Sequence, residues 1–404
     1  MSPTGSYVRF NQTVLAFDVL IPESYVPENH FVQKLFEFVE FKYNHVTLIS
    51  KTSQNDNIMS AHVLHRMNHQ DKTFENLGPL EGLWSSKSPK SETLYLQEQS
   101  KTPPAIGQVR RDHSEVKLRE MGSDYIAGSK SYKYSFIAKI NFPFSASKHP
   151  LPRNVPWQII FHRASAKKAL MSVHLDANND DQGAFSDYSI TMINPILRLS
   201  LASSNFYDKK YAPHKLPRIN WPFNQVSVRR DTLLQGIGTF KIKISDGPLP
   251  SAIAFGLMDP AQFDGSFTES ITNFGVMGLE CFNLQIDGLS LPNHPIEASG
   301  FSVQNFFFNF NKTCGFWDNP NSNGGVNYES FMQDNFLIVA NLKQLGHESG
   351  QFTLDMRFKN LLRKNLLIVM IMIHQKSLQM DDYCNVTIHN LEMSKADREL
   401  QKLE

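Results

Sequence analysis

The fold class is decided by one stretch, Phe282-Asn283-Leu284-Gln285-Ile286-Asp287-Gly288-Leu289. Its large apolar residues occupy every second position before the Asp-Gly pair, which is the pattern of a strand with one buried face. A two-residue Asp-Gly loop is a strong hairpin signal, because a type I′ turn needs positive φ at both central residues. The stretch therefore predicts a β-hairpin.

The same alternation recurs along the chain. Apolar residues fill every second position in four further segments, at 132–142, 240–245, 352–359 and 384–389. Each segment predicts a strand with one face on a core and the other toward water or a neighbour.

Other segments have different patterns. The longest apolar run, residues 366–373, predicts a strand buried on both faces and is too short to cross a bilayer as a helix. Helical patterns are short and few, at 31–38 and 58–67. The chain is therefore predicted to be all-β.

Length and segmentation predict two domains. The chain has 404 residues, and each half holds enough strand-like runs for a sandwich of about eight strands. Residues 205–215 are the best candidate linker between the halves, and residues 71–113 and 176–187 look like long loops. The polar start of the sequence shows no secretory signal, so we expect a protein that is not secreted.

Composition gives little sign of a nucleic-acid ligand or a disulfide framework. Forty Lys and Arg residues face 39 Asp and Glu residues, whereas a broad nucleic-acid surface carries a clear basic excess. The three cysteines, Cys281, Cys314 and Cys384, are far apart and odd in number, which favours reduced thiols.

No catalytic or metal-binding set can be assembled from the sequence. His347-Glu348 begins like a zinc-protease motif, but no second His follows at the required spacing. The loop from Asp176 has the alternating acidic residues of a calcium loop, with Asp181 where the sharp turn needs Gly and Asp187 where the bidentate Glu belongs. A solvated acidic loop is the favoured interpretation, and calcium binding stays open. We expect no enzyme activity, no cofactor and no metal.

Four groups of signals between residues 190 and 390 occur in a distinctive order. A strand-like segment at 193–199 is followed by an apolar strand and loop at 252–266, and then by the hairpin with its two following prolines at 284–295. Strand-like segments at 352–358, 365–373 and 382–388 come last. The residues that mark the first three groups are of types that turn or end strands: Asn194, Pro195, Gly256, Asp259, Asp264, Gly265, Asp287, Gly288, Pro292 and Pro295.

This order, over roughly residues 190–390, resembles the major capsid proteins of Polinton (Maverick) elements and adintoviruses. Asn194 stands where that family has Asp. The resemblance implies a double jelly roll, with a first jelly roll over 1–204, a linker at 205–215, a second jelly roll over 216–390 and a C-terminal tail at 391–404. The ten residues then have structural roles, since the family has no catalytic residues.

The resemblance also implies a function. Three copies would form a pseudo-hexagonal capsomer that tiles an icosahedral viral or virus-like shell. The chain would bind itself, with penton or minor capsid proteins as further partners, and the shell would enclose DNA without reading its sequence. The protein would reside in the virion capsid and, in the host cell, in the cytoplasm or nucleus.

Two alternatives stay open. The first is a host protein domesticated from such an element, which keeps the fold and has lost assembly. The second is a carbohydrate-binding β-sandwich that stacks sugars on Trp84, Trp157, Trp221 or Trp317.

Overall fold

The computed structural model shows two packed β-sandwiches. The described residues are 7–22, 25–27, 31–48, 55, 57–59, 124–140, 144, 150–153, 155–172, 189–202, 219–267, 269–298, 303–304, 331–332, 336–342, 349–380 and 386–390. No helix among them is long and apolar enough to cross a bilayer.

Nineteen strands dominate the described part of the chain, which confirms the all-β prediction. In chain order they are β1 (Tyr7–Pro22), β2 (Tyr25–Pro27), β3 (Phe36–Tyr43), β4 (Val46–Thr47), β5 (Asp124–Ile126), β6 (Ser131–Lys139), β7 (Leu151–Pro152), β8 (Trp157–Arg163), β9 (Leu170–Ser172), β10 (Met192–Ala202), β11 (Ile219–Leu233), β12 (Thr239–Pro248), β13 (Ala252–Met258), β14 (Leu279–Ile286), β15 (Leu289–Glu297), β16 (Ile338–Asn341), β17 (Ser349–Phe358), β18 (Leu366–Met380) and β19 (Val386–Asn390). The helices are α1 (Phe31–Lys34), α2 (Pro260–Asp264) and two short 3-10 turns at Ala127–Ser129 and Ala166–Lys168, and residues 57–59, 303–304 and 331–332 are also helical.

The first sandwich packs an antiparallel sheet of order β10-β1-β6-β5 against the smaller sheet β4-β3-β8. Strand β7 also pairs with β1, and β2 pairs with β9. Aromatic rings fill the space between the layers. Phe10 of β1 meets Phe41 of β3 edge-on at 5.1 Å between ring centroids, and Phe31 of α1 lies 4.9 Å from Phe136 of β6. Edge-on and offset ring pairs are the arrangements that aromatic side chains prefer.

The second sandwich packs the sheet β11-β18-β13-β16 against the sheet β12-β17-β14-β15. Strand β19 also pairs with β18. Across the core, Phe255 of β13 meets Phe282 of β14 edge-on at 5.7 Å. The predicted alternation at 352–358 is confirmed, because its even-numbered residues are buried, and the apolar run at 366–371 is buried throughout.

Two long strands connect the cores. Strands β11 and β18 have 15 residues each and pair along their whole length. At one end of the pair, Trp221 and Leu378 join the core of the first sandwich. At the other end, Leu233 and Leu366 join the core of the second. One continuous hydrogen-bonded strand pair therefore runs from the core of the first sandwich to the core of the second.

The predicted helices are only partly right. Helix α1 ends at Lys34, and the chain is already a strand at Phe36, because residues 36–43 are rich in aromatic residues and pair with β8. Residues 57–59 are helical, and the remainder of the 58–67 prediction lies outside the described residues. The loop at 71–113, the linker at 205–215 and the tail at 391–404 also lie outside, so the domain boundaries stay predictions.

Candidate functional site

The structure places Asn194 and Pro195 at an irregularity in edge strand β10. Ile193 pairs with Asp18 of β1, and Ile196 pairs with Ala16. Between these two pairs β10 has one residue more than β1. Asn194 has φ of +50°, a left-handed conformation that Asn adopts more readily than most residues. Proline is tolerated here, since edge strands and bulges need not donate every ladder hydrogen bond. The two residues form a β-bulge.

Gly256 lies within β13, and Asp259 lies between the end of this strand and α2. A Cβ on Gly256 would lie 2.9 Å from Cγ of Phe274 and 3.2 Å from Cδ2 of Leu337, so this position accepts no side chain without rearrangement. Asp259 is the N-cap of α2, and its Oδ1 accepts a hydrogen bond from the backbone N–H of Ala261 at 3.0 Å. Its Oδ2 accepts from Lys364.

Gly265 allows α2 to approach the first sandwich closely. Its φ is +108°, and a Cβ there would lie 3.0 Å from Cγ of Lys168. The preceding Asp264 is exposed and lies 3.7 Å from Arg230. Gly265 therefore has two reasons to be glycine, its backbone conformation and the contact with Lys168.

Asp287 and Gly288 form the predicted hairpin turn between β14 and β15. Their φ values are +51° and +82°, and Ile286 pairs directly with Leu289, which confirms the two-residue turn. Asp287 Oδ1 also accepts a hydrogen bond from the backbone N–H of Gln351 at 2.7 Å, which ties the turn to β17.

The ten predicted residues do not form one site. Pro292 and Pro295 lie within β15, where Pro295 is exposed. Asp259, Asp264 and Gly265 are brought together at α2, whereas Asn194 lies on β10 of the other sandwich. Gly256 lies inside the regular pairing of β13 with β18, so the ten residues also do not share one structural role.

A buried polar seam between the sandwiches was missed by the sequence reasoning. Lys34 of α1 is 0% exposed, and its Nζ donates to Ser270 Oγ at 3.1 Å and to Thr272 Oγ1 at 3.2 Å. Asn55 Nδ2 donates to the carbonyl oxygen of Phe263 at 2.9 Å. Buried polar groups require such partners, so the seam favours one docking geometry.

Strand β10 presents an exposed apolar edge. Among the described strands it pairs only with β1, and no described strand pairs with its other backbone edge. Ile196 is 53% exposed, and Leu199 and Leu201 are also exposed. Ile196 aligns with Ala16, and Ala16 aligns with Ile137 of β6, which places Ile137 on the same outer face as Ile196. Leu199 and Leu201 are an odd number of residues from Ile196, so they project from the opposite face of β10. We call Ile137, Ile196, Leu199 and Leu201, which lie on the two faces of the sheet at and beside this edge, the β10 edge patch.

The β10 edge patch is the kind of surface that proteins cover. Eight large apolar residues are exposed in the described part of the chain, and five of them lie on the β10 sheet, the fifth being Ile126 at the end of β5. An open apolar strand edge is a template for association with another chain. The patch is therefore the best candidate for a functional contact.

Among the described residues, the titratable groups with shifted pKa values give no sign of activation for chemistry. Burial raises the pKa of the Cys281 thiol, which makes the reactive thiolate scarcer. Burial lowers the pKa of His374. In the residues that the structure describes, no three His, Cys, Asp or Glu side chains cluster as metal ligands. The acidic loop from Asp176 and the His347-Glu348 pair lie outside those residues.

The described tryptophans do not form a stacking platform. Trp221 is buried in the first core, and Trp157 packs edge-on against Phe10 at 5.3 Å between ring centroids. Trp84 and Trp317 lie outside the described residues.

Comparison with known proteins finds likeness in structure and not in sequence. No protein-family model matches the chain, and no curated protein sequence matches it. The crystal structure of the mavirus major capsid protein is similar over 99% of this chain and 87% of its own, with a TM-score of 0.56 and 12% identity.

Two PBCV-1 structures are similar to a comparable degree. They are PBCV-1 VP54 fitted into a cryo-EM reconstruction of the virophage Sputnik and a quasi-atomic structure of the PBCV-1 virus capsid. Each has a TM-score of 0.52 and 12% identity, and covers 97% of this chain and 92% of its own. The likeness spans both sandwiches, and the chain has the double jelly-roll fold.

Proposed function

We propose that the chain is the structural subunit of an icosahedral viral or virus-like shell, and that three copies form a pseudo-hexagonal capsomer. The observation that carries the proposal is the pair of jelly rolls in one chain, a fold similar to that of the mavirus major capsid protein over nearly the whole length. Three copies of a two-sandwich chain supply six sandwiches, the number that a hexagonal outline needs.

The β10 edge patch supports self-association. Its apolar side chains are exposed in the single chain, and covering them with a second copy would remove apolar surface from water. The open edge of β10 would be protected by the same contact, which otherwise invites uncontrolled pairing. We therefore assign the patch to the contact between copies.

We further propose that the shell is of the Polinton and adintovirus type. The order of turn-forming residues from Asn194 to Pro295 supports this assignment, and we give those residues structural roles. Penton or minor capsid proteins would be the other protein partners. A net charge of +1 suits a shell that encloses DNA without a broad basic face. The protein would act in the virion capsid after synthesis in the host cytoplasm or nucleus.

Negative-stain electron microscopy of the purified full chain tests the proposal. We expect particles with three-fold symmetry and a hexagonal outline, and closed shells at high protein concentration. Isolated two-lobed particles at every concentration would contradict assembly and favour a domesticated protein.

A second test addresses the source. Genes for a packaging ATPase and a protease beside this one would support a viral element, and their absence would favour domestication. In the carbohydrate-binding alternative, Trp221 is not available to stack on a sugar, because its side chain is buried.

A further inference from the structure

Two loops of the second sandwich are joined at one of its ends. Residues 234–238 connect β11 to β12, and residues 359–365 connect β17 to β18; together we call them the basic tip. The N–H of Gly236 donates to the carbonyl oxygen of Leu362 at 2.8 Å. The N–H of Leu362 in turn donates to the carbonyl oxygen of Ile237 at 3.0 Å. The N–H of Gln235 donates to Asn365 Oδ1 at 2.9 Å. These bonds hold the loops side by side as one surface.

The basic tip exposes two leucines. Leu234 is 58% exposed and Leu361 is 66% exposed, while Leu362 between the loops is buried. Both are among the eight large apolar residues that the described part of the chain exposes, and neither lies on the β10 sheet. An apolar side chain held out by a hydrogen-bonded loop indicates a surface that a partner covers.

Cations surround these leucines. Lys359, Arg363 and Lys364 are exposed, and neither loop of the basic tip contains an acidic residue. Lys364 is paired with Asp259, whereas Lys359 and Arg363 have no ion pair with a described residue. The tip therefore carries two cations that are available to an external anion.

The acidic side chains next to the tip are already engaged. Asp231 of β11 pairs with Arg229, and Asp264 lies 3.7 Å from Arg230. The two loops therefore carry an excess of positive formal charge, although the net charge of the whole chain is only +1.

We propose that the basic tip docks on an anionic lipid bilayer. Exposed leucines flanked by cations fit this surface, because apolar side chains enter the boundary of the acyl region while Lys and Arg reach the headgroups. Duplex DNA would attract the same cations, but its charged phosphate backbone has no apolar surface for the leucines to contact. Of these two anionic surfaces, only lipid uses both features. The proposal does not depend on capsomer assembly, which would only strengthen the contact by presenting several tips together.

Vesicle co-sedimentation of the full chain tests the inference. The vesicles are phosphatidylcholine alone or phosphatidylcholine with phosphatidylserine. We expect binding to the serine-lipid vesicles and little binding to the neutral ones. The double variants Leu234→Ser/Leu361→Ser and Lys359→Gln/Arg363→Gln should each lower the affinity, the second on the order of thirtyfold. Lys364 is kept because it pairs with Asp259.

A matched control uses Leu289, which is equally exposed at 66% on the hairpin between β14 and β15. Leu289→Ser should bind as the wild type does. Circular dichroism and solution mass establish that each variant is folded and assembled like the wild type. Absence of binding to the anionic vesicles would overturn the inference. It would also be overturned if the leucine variant bound normally while the charge variant lost affinity for vesicles and for duplex DNA alike, which would indicate a nucleic-acid contact.

Discussion

Lys34 donates a hydrogen bond to Ser270, with 3.1 Å between Nζ and Oγ, although 236 residues separate them in the sequence. The Nζ atom is fully buried and also donates to Thr272, so the two sandwiches share a polar contact inside their seam. Removing an acceptor from a buried donor costs more than the hydrogen bond contributes, because the desolvation of the donor is no longer offset. The seam is therefore sensitive to small changes.

The near-isosteric substitution Thr272→Val removes one acceptor of Lys34. We expect a loss of about 1–3 kcal/mol in the free energy of unfolding. Thermal unfolding of wild type and variant measures the loss as a lower Tm. Thr239→Val on the exposed face of β12 is the control and should leave the Tm nearly unchanged. Equal Tm values for all three proteins would show that the seam contributes nothing to stability.

Gly256→Ala should overpack the second core. The new methyl group would lie 2.9 Å from Cγ of Phe274, inside ordinary contact distance. We expect about 1–3 kcal/mol of destabilisation, seen as a lower midpoint in urea. Gly128→Ala is the control, since a Cβ there meets nothing within 4 Å. A Gly256→Ala protein as stable as its control would refute the close packing at Phe274.

Asp287→Ala should weaken the hairpin turn. Alanine lacks the carboxylate that accepts from the N–H of Gln351 and is strained at φ of +51°. We expect a loss of about 1–2 kcal/mol, measured by chemical unfolding. Asp287→Asn keeps an acceptor and tolerates positive φ, so it should lose much less. If the two variants were equally destabilised, the turn geometry would not be the cause.

Asp18 on the outer face of β1 predicts a pH dependence. A hydrogen bond from Lys133, and a second from Ser135, hold the pKa of its carboxyl below the ordinary value. A lowered pKa stabilises the fold above the ordinary pKa, and this contribution is lost as the pH falls through the lowered value.

The test compares Asp18→Asn with the wild type across pH. The variant should have a lower Tm at pH 7, and the two Tm values should converge as the pH falls below the lowered pKa of Asp18. The difference will be small, because the pair is partly exposed. A Tm difference that does not change with pH would rule out the carboxylate as its source.

Local patterns predicted much of the fold. The Asp287-Gly288 hairpin and the alternation at 352–358 were readable because turn chemistry and period two are properties of neighbouring residues. Helix α2 was missed, although Asp259-Pro260 is a good N-cap signal, because five residues are too few to show a helical period. The helix predicted to continue to residue 38 ends early, because pairing with β8 outweighs local propensity.

The candidate surfaces were harder to predict. Residues 193–199 read as a strand, but only the sheet order shows that β10 lies at an edge and leaves Ile196 exposed. The seam joins Lys34 to residues more than 230 positions away, and no local pattern reports such a contact. The basic tip depends on two loops that backbone hydrogen bonds bring together from distant parts of the chain.

The mass of the full chain in solution, by light scattering behind a sizing column, tests the central claim most directly. We predict a species of three times 46.1 kDa, or a larger shell. Ile196→Lys in the β10 edge patch should shift the mass toward the monomer, whereas Leu289→Lys, outside the patch, should leave it unchanged. A wild-type monomer across a wide range of concentration would contradict the claim that this chain is a capsomer subunit.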